Sequence, residues 1–131
     1  MLFRSLAGTL AAFGAQLLRE VSDPTVIAVF RLAIAEAARA PEVARALDSV
    51  GIDTSRTALR EIMTKAKSSG LLGGQPAQMA EHFFGLLWGN MMINLLLRVA
   101  DRPSAGEITR RAHDATTAFL KLHPQPDGLG A

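Results

Sequence analysis

The sequence predicts an all-α fold, a six-helix bundle with orthogonal and antiparallel packing. Three observations predict it. No apolar–polar alternation of period two lasts more than a few residues, and Tyr is absent. Helix start and stop signals recur along the whole chain. One helix-length run, Met79 to Ala100, is apolar on nearly every face.

The first helix is expected over about Leu2 to Val21, where Phe3, Leu6, Leu10, Phe13 and Leu17 recur at helical spacing. This segment has an early Arg4 and a small-residue apolar run, as a signal peptide does. Its periodicity and its Arg19-Glu20 end fit an amphipathic helix instead. Asp23-Pro24 restarts the chain, Asp23 as cap and Pro24 at the first helical position, where a missing N–H costs nothing. The second helix then runs to about Ala40, with Ile27, Phe30, Ile34 and Ala38 on one face. Pro41 starts a short third helix that Gly51 closes near Val50. Asp53 or Thr54 opens a fourth, which turns Leu59, Ile62, Met63 and Ala66 inward and ends at Gly70. The segment Gly70 to Pro76 reads as the one flexible loop. Pro76 opens a long fifth helix that Arg102-Pro103 ends. Ser104 and Glu107 have capping-box spacing for a sixth helix, to about Leu122. Residues 123–131 read as a flexible tail.

The fifth helix poses the main question. It carries the only Trp and lacks a charged back, so something must cover it all round. A membrane span is disfavoured. The uncharged stretch between His82 and Arg98 is shorter than the ~20 residues a span needs, and Asn90 and Asn94 are costly in hydrocarbon. A partner subunit or a ligand fits better.

Composition narrows the function. The length suits one domain. There is no Cys, which excludes disulfides and thiolate metal sites. A net charge of +2, scattered and without basic–aromatic stretches, gives no case for nucleic acid. The chain reads as soluble and cytoplasmic. Catalytic and metal chemistry find no support. His82, His113 and His123 are far apart, and none has a carboxylate at i+3 or i+4. Gly73-Gly74 lacks the Lys-Ser of a phosphate loop. Ser68-Ser69 has no local base. His113 is expected at a surface or interface, and His82 at the edge of a helix face. No enzyme activity, cofactor or metal is expected.

Two stretches carry a resemblance. One is Arg31 to Leu47, RLAIAEAARAPEVARAL. The other is Ala80 to Asn90, AEHFFGLLWGN, followed by Pro103 to Ile108 and by a last helix containing Ala118-Phe-Leu120. Together they resemble the C-terminal regulatory domain of TetR/AcrR-type transcriptional regulators, in the subgroup with Pro-Glu-x-Ala-Arg-Ala after its second regulatory helix. The likeness covers about Leu2 to Leu122. Such regulators begin with a helix-turn-helix domain whose recognition helix enters the major groove. No matching pattern is found here. The chain is therefore read as an excised regulatory domain with an added Met1, rather than a stand-alone product, and is not expected to contact DNA itself.

The resemblance implies a homodimer in which the last two helices of each subunit form a four-helix interface. Gly85 and Gly89 share a face that Leu86, Ile93 and Leu96 extend. His113, Thr116 and Leu120 form a weakly polar stripe on the last helix. The same glycines could instead serve packing within one subunit. The resemblance also implies a cavity between the first, second, fourth and fifth helices. Its candidate lining is Phe13, Leu17, Phe30 and Ile34 with Met63, Phe84, Leu87, Trp88 and Met91, and Asn94 or Gln16 could orient a ligand. At helical spacing such residues also make plain core. With no buried-looking carboxylate or Lys nearby, the expected effector is a small hydrophobic molecule.

A ligand wedged between the helices would favour one arrangement of the bundle through its differential affinity. In an intact regulator this would control DNA binding. The alternative is a helical homodimerisation module without a ligand. An all-α enzyme or lipid-handling protein ranks third. Phe30→Ala or Trp88→Ala would alter ligand binding in the first case. In the second it would only destabilise, by ~3–5 kcal/mol.

Overall fold

The computed structural model describes residues 3–126, and the regular elements among them are all helical. They are α1 (Phe3–Val21), α2 (Pro24–Glu36), α3 (Pro41–Leu47), α4 (Asp53–Ser68), α5 (Pro76–Trp88), α6 (Met91–Leu96) and α7 (Ala105–Leu122). A five-residue π-helical segment, Asp48–Ile52, joins α3 to α4. The expected start at Leu2, the side chain of Phe3 and residues 127–131 of the expected tail lie outside the described residues.

Helices α1, α4, α5 and α7 build the core. Helix α7 packs along α1 and α5, and α4 packs on α5. Leu6, Leu10 and Leu17 of α1 are buried there, as are Leu59, Met63 and Ala66 of α4. Phe83 of α5 meets Phe119 of α7 edge to face, with centroids 5.7 Å apart, the favoured geometry for an aromatic pair. Helices α2 and α3 with the π segment form an arm that leaves the end of α1 and returns at the start of α4.

The punctuation works as physical chemistry requires at three sites. The Asp23 carboxylate accepts from the Thr25 N–H at 2.9 Å, ahead of Pro24. Ser104 and Glu107 exchange both bonds of the capping box. Gly70, at φ +75°, ends α4, and the Leu71 N–H reaches back to the Ala66 carbonyl, closing the Schellman turn that favours glycine.

Four expectations need correction. Helix α2 ends at Glu36, not Ala40, and the next residues form tight turns. Pro41 disfavours helical geometry in the residue before it, and Ala40 stands at ψ 69°. Gly51 does not close α3, because Leu47, Ile52 and Asp53 all keep helical backbone angles through the π segment. The loop after Gly70 is pinned rather than loose, since Leu71 and Leu72 are buried in the core. Lastly, the long fifth helix is two helices. Gly89 has φ 47° and ψ −128°, angles open in practice only to glycine. Helix α6 ends early as well, at Leu96, where Arg98 takes a left-handed φ of 61°.

Among the described residues, no helix is long and apolar enough to cross a membrane.

Candidate functional site: a cavity between arm and core

The arm stands away from the core and leaves a cavity of about 460 Å³, within the range of small-molecule sites. Each wall comes from a helical stripe. Leu17 and Val21 line it from α1, and Val26 and Phe30 from α2. Ile52 closes one end from the π segment. Helix α5 contributes Ala77, Glu81, Phe84 and Trp88, spaced four, three and four apart, so they share one face. The Phe84 and Trp88 rings lie nearly parallel, 5° between planes and 5.9 Å between centroids. They form an offset aromatic stack in the wall.

The mouth is polar. Glu20, Arg56, Arg60 and Glu81 stand around it with Ser55. Arg56 faces Asp48 at 3.4 Å and Asp53 at 4.0 Å, and Glu20 accepts from the Gln16 amide at 2.9 Å. With two acidic and two basic groups lining it, the cavity itself has no net sign. Sequence reasoning placed no charged side chain here. It missed them because they stand at the edges of helix faces, where only the neighbouring helix shows which way a residue looks. The stripe through Ala77, Glu81, Phe84 and Trp88 was the one signal that could have revealed Glu81.

Of the nine candidate ligand residues, the structure brings together Leu17, Phe30, Phe84 and Trp88 in the cavity wall. The other five stand elsewhere. Met63 and Leu87 are fully buried in the core and do not line the cavity. Phe13 packs against that core half-buried. Ile34 is 62% exposed on α2. Met91 lies beyond the break at Gly89 and lines a separate groove between α6 and α7, together with Asn94. Gln16 is exposed on α1 and bonds to Glu20 and Arg19, so neither expected amide faces the cavity.

The candidate interface residues also separate. Gly85, Leu86, Ile93 and His113 are exposed, while Leu96 and Leu120 are half-buried. Thr116 is buried within the subunit, and its hydroxyl donates to the Ala112 carbonyl at 2.8 Å. Gly89 serves the helix break, not close helix approach. The α7 side that shares a groove with Leu86 carries Arg110, Asp114 and Ala118 rather than the expected stripe. Leu97 and Val99, at 66% and 69% exposure, are apolar surface that the candidate interface omitted.

No group of three or more His, Asp or Glu among the described residues is placed to hold a metal ion. His82 and His123, far apart in sequence, are in direct contact. The sequence offered no sign of this, since the turn after α7 sets it.

The chain is similar to known proteins over most of its length. Residues 8–123 match the family model described as the C-terminal domain of AefR-like transcriptional repressors. A TetR-family transcriptional regulator of Mesorhizobium loti superposes with a TM-score of 0.82 at 28% identity, over 89% of this chain and 58% of that one. A TetR transcriptional regulator of Agrobacterium tumefaciens gives 0.83 at 26% identity, over 94% and 60%. The chain thus spans about three fifths of the length of each. No curated protein matches it significantly.

Proposed function

Because this chain belongs to the AefR-like C-terminal domains of the TetR family, a non-enzymatic family, we propose that it senses a small, largely apolar effector and pairs with a second copy of itself. The observation that carries this reading is the cavity between arm and core, with the stacked rings of Phe84 and Trp88 in its wall. Deep apolar walls and a few polar groups at the mouth suit a compact molecule with an aromatic or aliphatic body and one polar end. The balanced charges at the mouth favour neither cation nor anion. The proposed effector contacts are Leu17, Phe30, Phe84 and Trp88, with Val26 and Ile52 beside them.

The proposed pairing surface joins Gly85 and Leu86 of α5 to Ile93 of α6 and to Asp114 and Ala118 of α7. It would cover the apolar surface that the chain leaves open around Leu86 and Ile93. A twofold pairing presents the same patch from both subunits. In the whole regulator, effector binding would change the relation of two DNA-binding heads, and with it operator affinity.

Trp88 is the sole Trp, so the cavity has a built-in reporter. Titration with N-phenyl-1-naphthylamine, an uncharged apolar probe, should shift and quench its emission saturably. Ala77→Trp, which fills the mouth, should prevent probe binding, read from the probe's own fluorescence. Native mass spectrometry should show a dimer. A dimer whose cavity takes up neither this probe nor other apolar compounds would leave only the dimerisation module, and a monomer would remove the pairing surface.

A further inference from the structure

The break at Gly89 leaves the last carbonyls of α5 without partners inside the helix, as at any helix end. Arg111, on α7, takes two of them. Its Nε donates to the Leu87 carbonyl at 2.7 Å and its Nη2 to the Trp88 carbonyl at 2.6 Å. At the far end of α6 the same device recurs from the opposite side. Arg31, on α2, donates from Nη2 to the Leu95 carbonyl at 2.6 Å and from Nε to the Leu96 carbonyl at 2.9 Å. Both guanidinium groups are half-buried, and neither has a carboxylate within ion-pair distance among the described residues. Glu107 and Asp114 share the groove with Arg111 but stand beyond that distance. The carbonyl ends of two helices, where the backbone dipole is negative, are therefore what holds each charge.

Each clamp is also adjacent to the cavity. Trp88 turns its ring into the wall while its carbonyl holds Arg111. Phe30 lines the wall, and Arg31 is the next residue on α2. Helix α6 has no residue in the cavity. It is a short element whose last carbonyls are held by Arg31, and it follows directly on the α5 end that Arg111 holds.

We infer that Arg111 and Arg31 couple occupancy of the cavity to the position of α6, so that a bound ligand resets the exposed surface of α6 and α7. A ligand that moves the Trp88 ring moves the carbonyl that Arg111 holds. One that pushes Phe30 outward shifts the root of Arg31. The coupling acts only through the ligand's different affinity for the two placements of α6. This regulation rests on the reading of the cavity as an effector site. A pair of arginines that merely capped helix ends would stabilise the fold without passing on any response.

The test is hydrogen exchange, followed by mass spectrometry, of the full chain with and without N-phenyl-1-naphthylamine. The wild-type chain should show slowed exchange in α4 and α5 at the cavity wall. It should also show a change on the order of five-fold or more in the α6 amides, which the probe does not touch. Arg111→Gln should keep the wall protection and lose the α6 response. Arg31→Gln gives the same reading from the other clamp, and serves alone if Arg111→Gln does not fold. Wall protection in the wild-type chain without any α6 response overturns the coupling and leaves the effector site standing. A full α6 response in both glutamine variants overturns the role of the arginines. If the wall gains no protection at all, the effector-site reading fails, and the coupling with it.

Discussion

His82 and His123 meet ring to ring, with Nδ1 of one 2.8 Å from Nε2 of the other. Their rings stack at a centroid distance of 5.1 Å, and Phe119 lies against His123 at 4.8 Å. A hydrogen bond between two imidazole nitrogens needs one donor and one acceptor, so at least one ring must be neutral. The contact ties the residue that ends α7 to the middle of α5. The same His123 ring lies beside Gly74 of the loop before α5, where an added Cβ would stand 3.3 Å from its Nδ1.

Stability should therefore fall in mild acid. His123 binds its proton less readily than the ordinary 6.5, first because burial disfavours the charge and then because of His82. Below 6.5 the unfolded chain holds more proton at this position than the folded one. Stability contributed by the contact is complete above 6.5, declines as pH falls, and levels off once the folded His123 is itself protonated. Thermal melts at about pH 8 and about pH 5 should differ more for the wild-type chain than for His123→Gln. Equal differences would show that the pair does not titrate with folding.

Gly89→Ala should cost about 2–4 kcal/mol in urea unfolding, since two penalties coincide. The backbone angles of φ 47° and ψ −128° strain any L side chain. An added Cβ would also stand 2.5 Å from Nη2 of Arg111, displacing the guanidinium from the α5 carbonyls. A change within experimental error would mean that the α5–α6 break relaxes into a continuous helix.

Arg98→Gly should act the other way. Arg98 ends α6 at φ 61°, with its N–H bonded to the Leu95 carbonyl and the Val99 N–H bonded to the Asn94 carbonyl. This is the turn in which glycine is usual. Relief of the left-handed strain outweighs the added freedom of the unfolded chain, so a gain of about 0.5–1 kcal/mol is expected by denaturant titration. A loss would assign Arg98 a contact that outweighs its strain.

Leu86→Glu should weaken self-association. Leu86 is 36% exposed beside Gly85, where an added Cβ would meet no atom. Placing a charge there should raise the dimer dissociation constant about tenfold or more, equivalent to about 1.4 kcal/mol, as read by sedimentation. Because the side chain already reaches solvent, the melting temperature at a concentration where both proteins are monomeric should barely change.

The helical class, the caps at Asp23 and Ser104, the stop at Gly70 and the inward faces of α1 and α4 were all legible from residue order. They depend on interactions within a turn or two of one helix, and on apolar periodicity that has a single way to be buried. The family resemblance was legible too, in two stretches and their spacing. Most of the cavity wall was not, since only Leu17, Phe30, Phe84 and Trp88 of its lining were foreseen. Met63 and Leu87 are apolar like Phe84 and Trp88, yet are buried in the core, because one broad apolar helix face serves core and cavity alike and only packing chooses between them. The break at Gly89 was hidden for a related reason. Glycine permits a break without requiring one, and this break is stabilised by Arg111, twenty-two positions further along the chain. The contacts of His82 with His123 and of Arg31 with α6 likewise join residues that no local pattern relates. Periodicity and capping are short-range and survive in the linear text. The choice of which face looks at a hollow, and which arginine reaches a distant carbonyl, arises only when the arm folds back across the core.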